Sequence, residues 1–506
     1  MIKTLRQAVF LRLTLFLVLG IIVQTQKNFF PYWVYCVIFS LIILFFSLIR
    51  EIRSSYNWRW LFGAGLSLFC FSSGGILTWS KWMQSEWEEE DEIRGYRVQL
   101  IDEPVKKPKT WMCKVKTDDK MFIIYLPDDS ISSSLKPSDW LLIKTRFEAS
   151  QFNLRKQGIA ARAFIAKNNW EKIEPSSKQK FNFYFYSLNC RRVMLNRLKM
   201  MLPDEKSFAV AAAVSSGYIN EIDIDLRQTF SATGTSHILA ISGLHFAIIY
   251  GLLNFLFSFL GNKQRGRIVK QLIVLPLLWI FAIFTGLPPS VVRAATMITI
   301  WGIGNAFFFQ SLTINTVGFT AFFMLLYNPF NLFNVGFQLS FVAVISILLI
   351  NPYLTSLYQS RNPLINYFWE LSCTSTSAQL GTAPLSLYYF HQFPLLFLIS
   401  NIFAIPLIGI ILLLIPFSLI AGLIFGNQPV LLFPLQKLLQ IFIGFIGALS
   451  DIPNGVVTDI QLSMKDAINL ALGIIFSFLF VIKKRLIYFC LLIIVAALQV
   501  IYYLCS

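Results

Sequence analysis

From residue 236 to residue 503 the chain is almost entirely apolar runs joined by short polar turns, and no other feature narrows the possible folds so far. A run of about twenty apolar residues is long enough to cross a bilayer as a helix. Within hydrocarbon a segment must satisfy its own amides and carbonyls, so such runs are read as helices. They fall at about 236–260, 267–286, 290–309, 311–327, 333–350, 371–390, 394–425, 429–450, 466–482 and 485–503, and three more stand at about 8–24, 31–50 and 59–79. With 56% hydrophobic and only 14% charged residues, an ordinary soluble protein is excluded. The fold class expected is a polytopic α-helical membrane protein of about thirteen spans.

Basic residues set the expected orientation, because cytoplasmic turns collect Lys and Arg. Lys3, Arg6 and Arg12, then Arg50, Arg53 and Arg59, then Lys263, Arg265, Arg267 and Lys270, then Arg361 and Lys483-Lys484-Arg485 mark the cytoplasmic side. They agree if 394–425 crosses once, broken by Pro406 and Pro416, which puts the N-terminus inside and the C-terminus outside. The first run is read as an uncleaved span, since no small-residue cleavage site separates it from the next. Seven scattered cysteines without C-x-x-C pairs suggest neither a disulfide framework nor a zinc site.

After the three-span segment 1–80 the pattern changes. Over 94–180 the long apolar runs give way to alternation, the mark of half-buried strands. Trp111 to Lys116 and Met121 to Leu126 flank Thr117-Asp118-Asp119-Lys120 as a hairpin, and Tyr96 to Ile101, Leu141 to Phe147 and Ala161 to Ala166 supply further strands. About five short strands suffice for a small external Greek-key barrel of the OB type. The region holds 18 Lys and Arg against 10 Asp and Glu, a balance of +8. A basic barrel with aromatic side chains suits single-stranded nucleic acid; a domain that merely stays soluble beside a membrane reads the same way. Residues 184–202 form an amphipathic helix with Leu188, Leu195, Leu198 and Leu202 on one side, expected at the interface or docked on protein. The remaining domain is 205–506. Near its start Phe208 to Val214 is too short to span and should be buried or re-entrant.

The stretch Thr233 to His245 opens that domain and carries two of the three histidines, His237 and His245. Read as one helix, Ser231, Thr235, Ser242 and His245 fall near one face. Polar groups at membrane depth either pin helix to helix or line a wet path. Later runs carry further groups of this kind: Ser290 and Arg293 after a diproline turn, Gln338 and Ser340, Gln379, His391 and Asn401. Arg293 alone reads as a side chain that snorkels to the interface, and His391 as interfacial.

The strings themselves are more specific. Gly234-Thr235-Ser236-His237 with Leu239-Ala240-Ile241-Ser242-Gly243-Leu244-His245 resembles the signature of the ComEC competence family, which carries transforming DNA into bacteria. Gly286-Leu287-Pro288-Pro289-Ser290-Val291-Val292-Arg293-Ala294-Ala295-Thr296-Met297, then Asn328-Pro329 with Gly336-Phe337-Gln338-Leu339-Ser340-Phe341, then Gln379-Leu380-Gly381-Thr382-Ala383-Pro384 with Phe390-His391-Gln392-Phe393 and Asn401 to Pro406, resemble its further blocks in order. The last block's glycine and prolines predict a broken helix. Lys136-Pro137-Ser138-Asp139-Trp140-Leu141 resembles the barrel approach of that family, while its Asn-Pro-Gly-x-Phe-Asp element is absent and Gln151 to Ile159 keeps only the second half.

The resemblance implies translocation of single-stranded DNA across the cytoplasmic membrane, with Thr235, His237, Ser242, His245, Ser290, Arg293, Gln338, Ser340, Gln379, His391 and Asn401 along the path. It also implies, as partners beside the lipid bilayer, a DNA receptor outside, a separate nuclease and a cytoplasmic DNA-translocating ATPase. Many relatives carry a C-terminal metallo-beta-lactamase-like domain with a His-x-His-x-Asp-His cluster; here no such cluster and no phosphate-cradling Gly-x-x-x-x-Gly-Lys motif occurs, so neither a metal, a cofactor nor enzyme activity is expected. Two rivals stand: a small-solute transporter, for which no inverted repeat is evident, and a Ser242–His245 hydrolase, which lacks a nearby carboxylate to orient the histidine.

Overall fold

The computed structural model of the chain describes residues 8–26, 29–48, 60–87, 92–117, 120–150, 152–173, 183–261, 263–307, 314–426 and 428–505. The orienting Lys3, Arg6, Arg50, Arg53 and Arg59 and the hairpin tip Asp118-Asp119 lie outside these residues. Helices α1 (Val9–Gln26), α2 (Phe30–Ser47) and α3 (Trp60–Gln84) come first. Strands β1 (Arg94–Leu100), β2 (Val105–Lys106), β3 (Thr110–Thr117), β4 (Lys120–Pro127), β5 (Trp140–Thr145), β6 (Glu148–Ala149), β7 (Ile159–Phe164) and β8 (Trp170–Ile173) follow. Then come α4 (Phe183–Met201), α5 (Glu205–Ser216), α6 (Ile224–Ala232), α7 (Ser236–Leu239), α8 (Gly243–Leu256), α9 (Gln264–Phe284), α10 (Pro289–Ala306), α11 (Ile314–Tyr327), α12 (Val335–Ser356) and α13 (Pro363–Phe390). Strand β9 (Phe393–Pro394), helices α14 (Phe397–Phe425) and α15 (Pro429–Ser450), strand β10 (Val456–Val457), and helices α16 (Met464–Lys483) and α17 (Leu486–Cys505) complete the order.

Among the described residues eight helices are long and apolar enough to cross a membrane, namely α1, α2, α3, α9, α12, α14, most of α15, and α16. The chain is therefore a polytopic membrane protein, although about thirteen spans were expected. Helices α8 and α11 are short, as is the described apolar part of α17. Helices α10 and α13 have the length but interrupt their apolar character with Arg293, Thr296 and Asn305 in one and Glu370 and the Ser372 to Ser377 hydroxyl run in the other. The expected span 236–260 is not one helix. It is α7 and α8, parted by extended backbone at Ala240. Conversely, Pro384, Pro406 and Pro416 break nothing, since α13 and α14 run through them. A proline removes one amide per site, and neighbouring helices re-satisfy the freed carbonyl.

The chain falls into two compact units: Met1–Met194 with Asn254–Pro288 and Val292–Asn334, and Leu195–Leu253 with Pro289–Val291 and Val335–Ser506. In the first unit α1 packs on α3 so closely that a Cβ on Gly20 would lie 1.9 Å from the Phe71 carbonyl oxygen and one on Gly74 2.4 Å from that of Leu17. Without a hydrophobic drive between helices in lipid, small residues permit the backbone contact that holds them. Helix α11 joins through the Thr14 hydroxyl, which donates to Gly318 O at 2.9 Å, and through Asn315 Oδ1, which accepts from the Phe10 amide at 2.9 Å.

The strands form one sheet in the order β6-β7-β4-β3-β1-β5-β8, with β2 on β3. The β3–β4 hairpin is antiparallel as its alternation predicts, while β4 and β7 pair in parallel. The pairing runs from edge β6 to edge β8 and closes no barrel, which departs from the expected closed form. The apolar side buries Val98, Val115, Phe122, Leu141, Ile143 and Phe147, and burial pushes the Cys113 thiol up to about 12. The Lys136 to Trp140 turn is closed by Asp139, which accepts from the Lys136 amide at 2.8 Å, with Ser138 in a left-handed conformation.

Arg155 anchors the sheet to α3, its guanidinium 4.2 Å from the Trp82 ring centroid, donating to Trp82 O at 3.3 Å and pairing with Glu86 at 3.7 Å. Leu188, Leu195 and Leu198 on α4 and Leu202 just beyond it are buried, and Arg191 pairs with Glu103 at 3.6 Å while donating to Thr285 O at 2.9 Å. Burial, then the charge of Asp102, holds the Tyr184 hydroxyl above the ordinary tyrosine range. In the second unit α5 is buried from Ser207 to Ser216, as its short apolar length predicts.

Replacing Gly74 by Leu should destabilise the protein by about 1–3 kcal/mol through overpacking. Gly63→Leu, with nothing within 4 Å of its Cβ, should be neutral. Thermal aggregation of the two variants in detergent micelles checks this; equal transitions would show that the α1–α3 backbone contact is dispensable.

Candidate functional site

The break between α6 and α8 is built from residues that stop helices. Gly234 takes φ +75°, a left-handed conformation, and a Cβ there would stand 2.9 Å from Pro394 Cγ and 3.0 Å from Phe397 Cβ. Only glycine meets both demands. The Thr235 amide turns back to Phe230 O at 2.9 Å, its hydroxyl meets that of Thr233 at 2.8 Å, and both threonines are buried. His237 is exposed, with Nδ1 3.2 Å from Gly234 O.

Helix α8 then starts at Gly243 with Ser242 ahead of it, and the Ser242 carbonyl accepts from the Phe246 amide at 3.3 Å. The Ser242 amide donates to His245 Nδ1 at 3.2 Å, with the Ser242 hydroxyl 3.0 Å from the same nitrogen. This is the reciprocal half of a capping box, with histidine in the place usually taken by Glu or Gln. Because Nδ1 accepts, the ring proton sits on Nε2. His245 is fully buried, and its Nε2 has no hydrogen-bond partner among the described residues.

The structure brings the first and fourth sequence blocks together. The Gln392 amide donates to Ser231 Oγ. His391 ends α13 in the left-handed conformation at φ 56°, is exposed, and exchanges bonds with Ile460, whose amide donates to His391 O at 3.0 Å. Strands β9 and β10 continue that pairing. Asn401 lies four residues beyond Phe397 on α14, hence on the same face as the side chain that meets Gly234. It is buried, and its Oδ1 has no partner among the described residues. The third block is tied in by the Tyr389 hydroxyl, which donates to Gln338 Oε1 at 3.0 Å.

Other expected residues stand differently. Ser340 and Gln379 are half-buried on α12 and α13, where Gly381 serves close packing, a Cβ there lying 1.8 Å from Ser346 Oγ. The stripe Ser231, Thr235, Ser242, His245 does not share one helix, because the backbone leaves the helix at Gly234 and again at Ala240. Ser290 is half-buried on α10 in the second unit. Arg293, in the first unit, is buried with Nε unpartnered among the described residues. Sequence reasoning missed Ser231, Gln392 and Tyr389 as bonding partners, and Arg155 and Trp82 as the anchor of the sheet. No group of three or more His, Cys, Asp or Glu that could hold a metal ion occurs among the described residues.

A family model described as competence protein matches residues 214–486. Among curated relatives, ComE operon protein 3 of Bacillus subtilis (strain 168) is 30% identical over 225 residues, 44% of this chain and 28% of that protein. An uncharacterized protein of Aquifex aeolicus (strain VF5) is 26% identical over 272 residues, 53% of this chain and 60% of that one. The chain thus matches less than two thirds of the length of either relative. No solved structure matches.

Gly234→Ala should destabilise by about 1–3 kcal/mol, because the alanine must hold a left-handed backbone against Pro394. Gly243→Ala, with open space around its Cβ and a helix start to favour it, should not. Thermal melts of the two variants distinguish them; equal stability would remove the contact between the loop and β9.

Proposed function

The chain belongs to the competence protein family, its match covering more than half of the 506 residues, and from that premise we propose that it passes one strand of transforming DNA across the cytoplasmic membrane. The observation that carries this reading lies within the second unit, where the buried His245 Nε2 and Asn401 Oδ1 are without partners among the described residues. A buried donor or acceptor without a partner is destabilising by about 1–3 kcal/mol; such atoms occur elsewhere among the described residues too, and those of His245 and Asn401 are set apart by standing in the sequence blocks that the family match covers. A path for a hydrated polyanion accounts for such groups in a chain otherwise so apolar, since intramembrane polar residues mark ion and substrate routes. His245 and Asn401 offer a donor and an acceptor to bases or water in this account; Arg293, taken by itself in the first unit, carries the charge that would attract a phosphate.

The basic sheet of 94–180 handles the strand outside, as an OB-like module. Supporting this, β6 follows β5 after only Arg146 and Phe147, and the exposed Phe164 ring stacks on Tyr125 at 4.6 Å and 13°. An exposed ring stacked on a half-buried one, on a sheet with a net basic balance, suits base stacking with phosphate attraction. Helix α4 lies at the outer leaflet, the N-terminus is cytoplasmic and the C-terminus outside. A receptor outside, a separate nuclease and a cytoplasmic ATPase complete the machinery in this reading, and the Ser242–His245 pair serves as a helix cap.

Three outcomes test the proposal. In cells expressing equal amounts of protein, His245→Ala and Asn401→Ala should each reduce protected cytoplasmic DNA by tenfold or more, on the order of one buried hydrogen bond per 1.4 kcal/mol; wild-type uptake in both would return these residues to structural roles. The full chain in micelles should bind single-stranded oligonucleotide in a salt-sensitive way, and Phe164→Ala should weaken it by roughly tenfold, the scale of one base–aromatic stack. Unchanged affinity would remove the sheet from the strand's route. With Zn, Mn or Mg the purified chain should leave labelled duplex intact, and cleavage abolished by a point change would contradict the non-enzymatic reading.

A further inference from the structure

Helices α12, α13, α16 and α17 line an open cleft of about 670 Å³ outside the site described above. Its walls are apolar over most of their length, with Ile350, Leu380, Phe478, Val481, Leu492 and Val495 among them. Its carboxylate and amide side chains stand at one end, and only the Ser477 hydroxyl is polar further along. Asp466, 6% exposed on a helix long and apolar enough to span the membrane, accepts from Gln499 Nε2, and Asn469 donates to Gln499 Oε1. The other Asp466 oxygen accepts the Ser463 amide at 2.9 Å and completes a capping box.

A long apolar hollow with a carboxylate at its head has the form of a receptor for an amphiphile. From Asp466 to Val481 α16 rises about 22 Å, enough for one acyl chain, since two chain lengths fill a hydrocarbon core of about 30 Å. The helices that line the hollow stand among lipid, so the abundant amphiphile is a bilayer lipid. Headgroup chemistry selects further. A phosphatidylglycerol head brings like charge to Asp466, a choline head has no N–H to donate, and an ethanolamine head brings a cation with three donors.

We propose that this cavity binds one acyl chain of a lipid bearing a primary-amine headgroup, with Asp466, Asn469 and Gln499 holding the head. Leu462 also lines the cavity, two residues beyond the Ile460 that pairs with His391, so a bound lipid braces the loop over the fourth sequence block.

The test is native mass spectrometry of the full chain released from vesicles holding equal amounts of phosphatidylethanolamine, phosphatidylcholine and phosphatidylglycerol. The wild type should retain one phosphatidylethanolamine. Gly473→Leu should lose it, because Gly473 lines the cavity and its Cβ would meet Leu492 at an ordinary 3.9 Å, so the added side chain is tolerated while it fills space. Asp466→Asn keeps an acceptor for Ser463 but removes the charge, and should lower the ratio of ethanolamine to glycerol lipid by about tenfold, the scale of one charge-assisted bond. Equal retention of the three lipids, retention unchanged in Gly473→Leu, or a ratio unchanged in Asp466→Asn would overturn the assignment. Should Gly473→Leu not be recoverable, the Asp466→Asn ratio decides alone.

Discussion

Helix α8 begins in the middle of an apolar run, and the hydrogen bond from the Ser242 amide to His245 Nδ1 is what lets it do so. A helix start leaves four amides without intrahelical partners, and hydrocarbon offers none. Here the side chain three residues into α8 takes one amide, and the irregular loop before it is closed by Thr233, Thr235 and the glycine turn under Pro394. The same histidine that caps the helix presents its second nitrogen, protonated and buried, away from that cap. The cap uses one end of the ring and leaves the other for the role proposed for it, so the backbone break that looks like a structural weakness is also what orients the polar atom.

Outside the helices the governing term is ordinary burial. The sheet closes one apolar side around Phe122 and Phe147 with Trp87 packed against it. It is then fixed to α3 by Arg155 stacking on Trp82, a contact that joins a cation to an aromatic face near the membrane end of a span. Its other surface keeps lysines and the Tyr125–Phe164 stack available. Within one unit, then, glycine contacts hold the spans, aromatic and cationic contacts hold the sheet on them, and the apolar fill of the sheet needs neither.

How much was legible follows from the physics of each signal. Alternation in Trp111 to Lys116 and Met121 to Leu126 shows the hairpin because the period of a half-buried strand is written in its residues. The two-residue strands β2 and β6 carry no period and pass unseen. The apolar run through Leu239 and Ile241 concealed the break before α8, although Ser242-Gly243-Leu244-His245 has the spacing of a capping box with an unusual third partner. Pro384, Pro406 and Pro416 read as breaks because a missing amide is visible in sequence, whereas the packing that tolerates it is not. Of the site, the blocks were readable but not their pairing: the bonds between Gln392 and Ser231 and between Tyr389 and Gln338 join residues far apart in the chain.

Strand passage is tested most directly by offering duplex DNA, labelled on one strand or the other, to naturally competent cells that lack this gene and to the same cells carrying it. The account predicts that both bind DNA at the surface, while only cells with the gene accumulate label as nuclease-protected single strand in the cytoplasm. Equal accumulation of protected single strand in cells without the gene would contradict it.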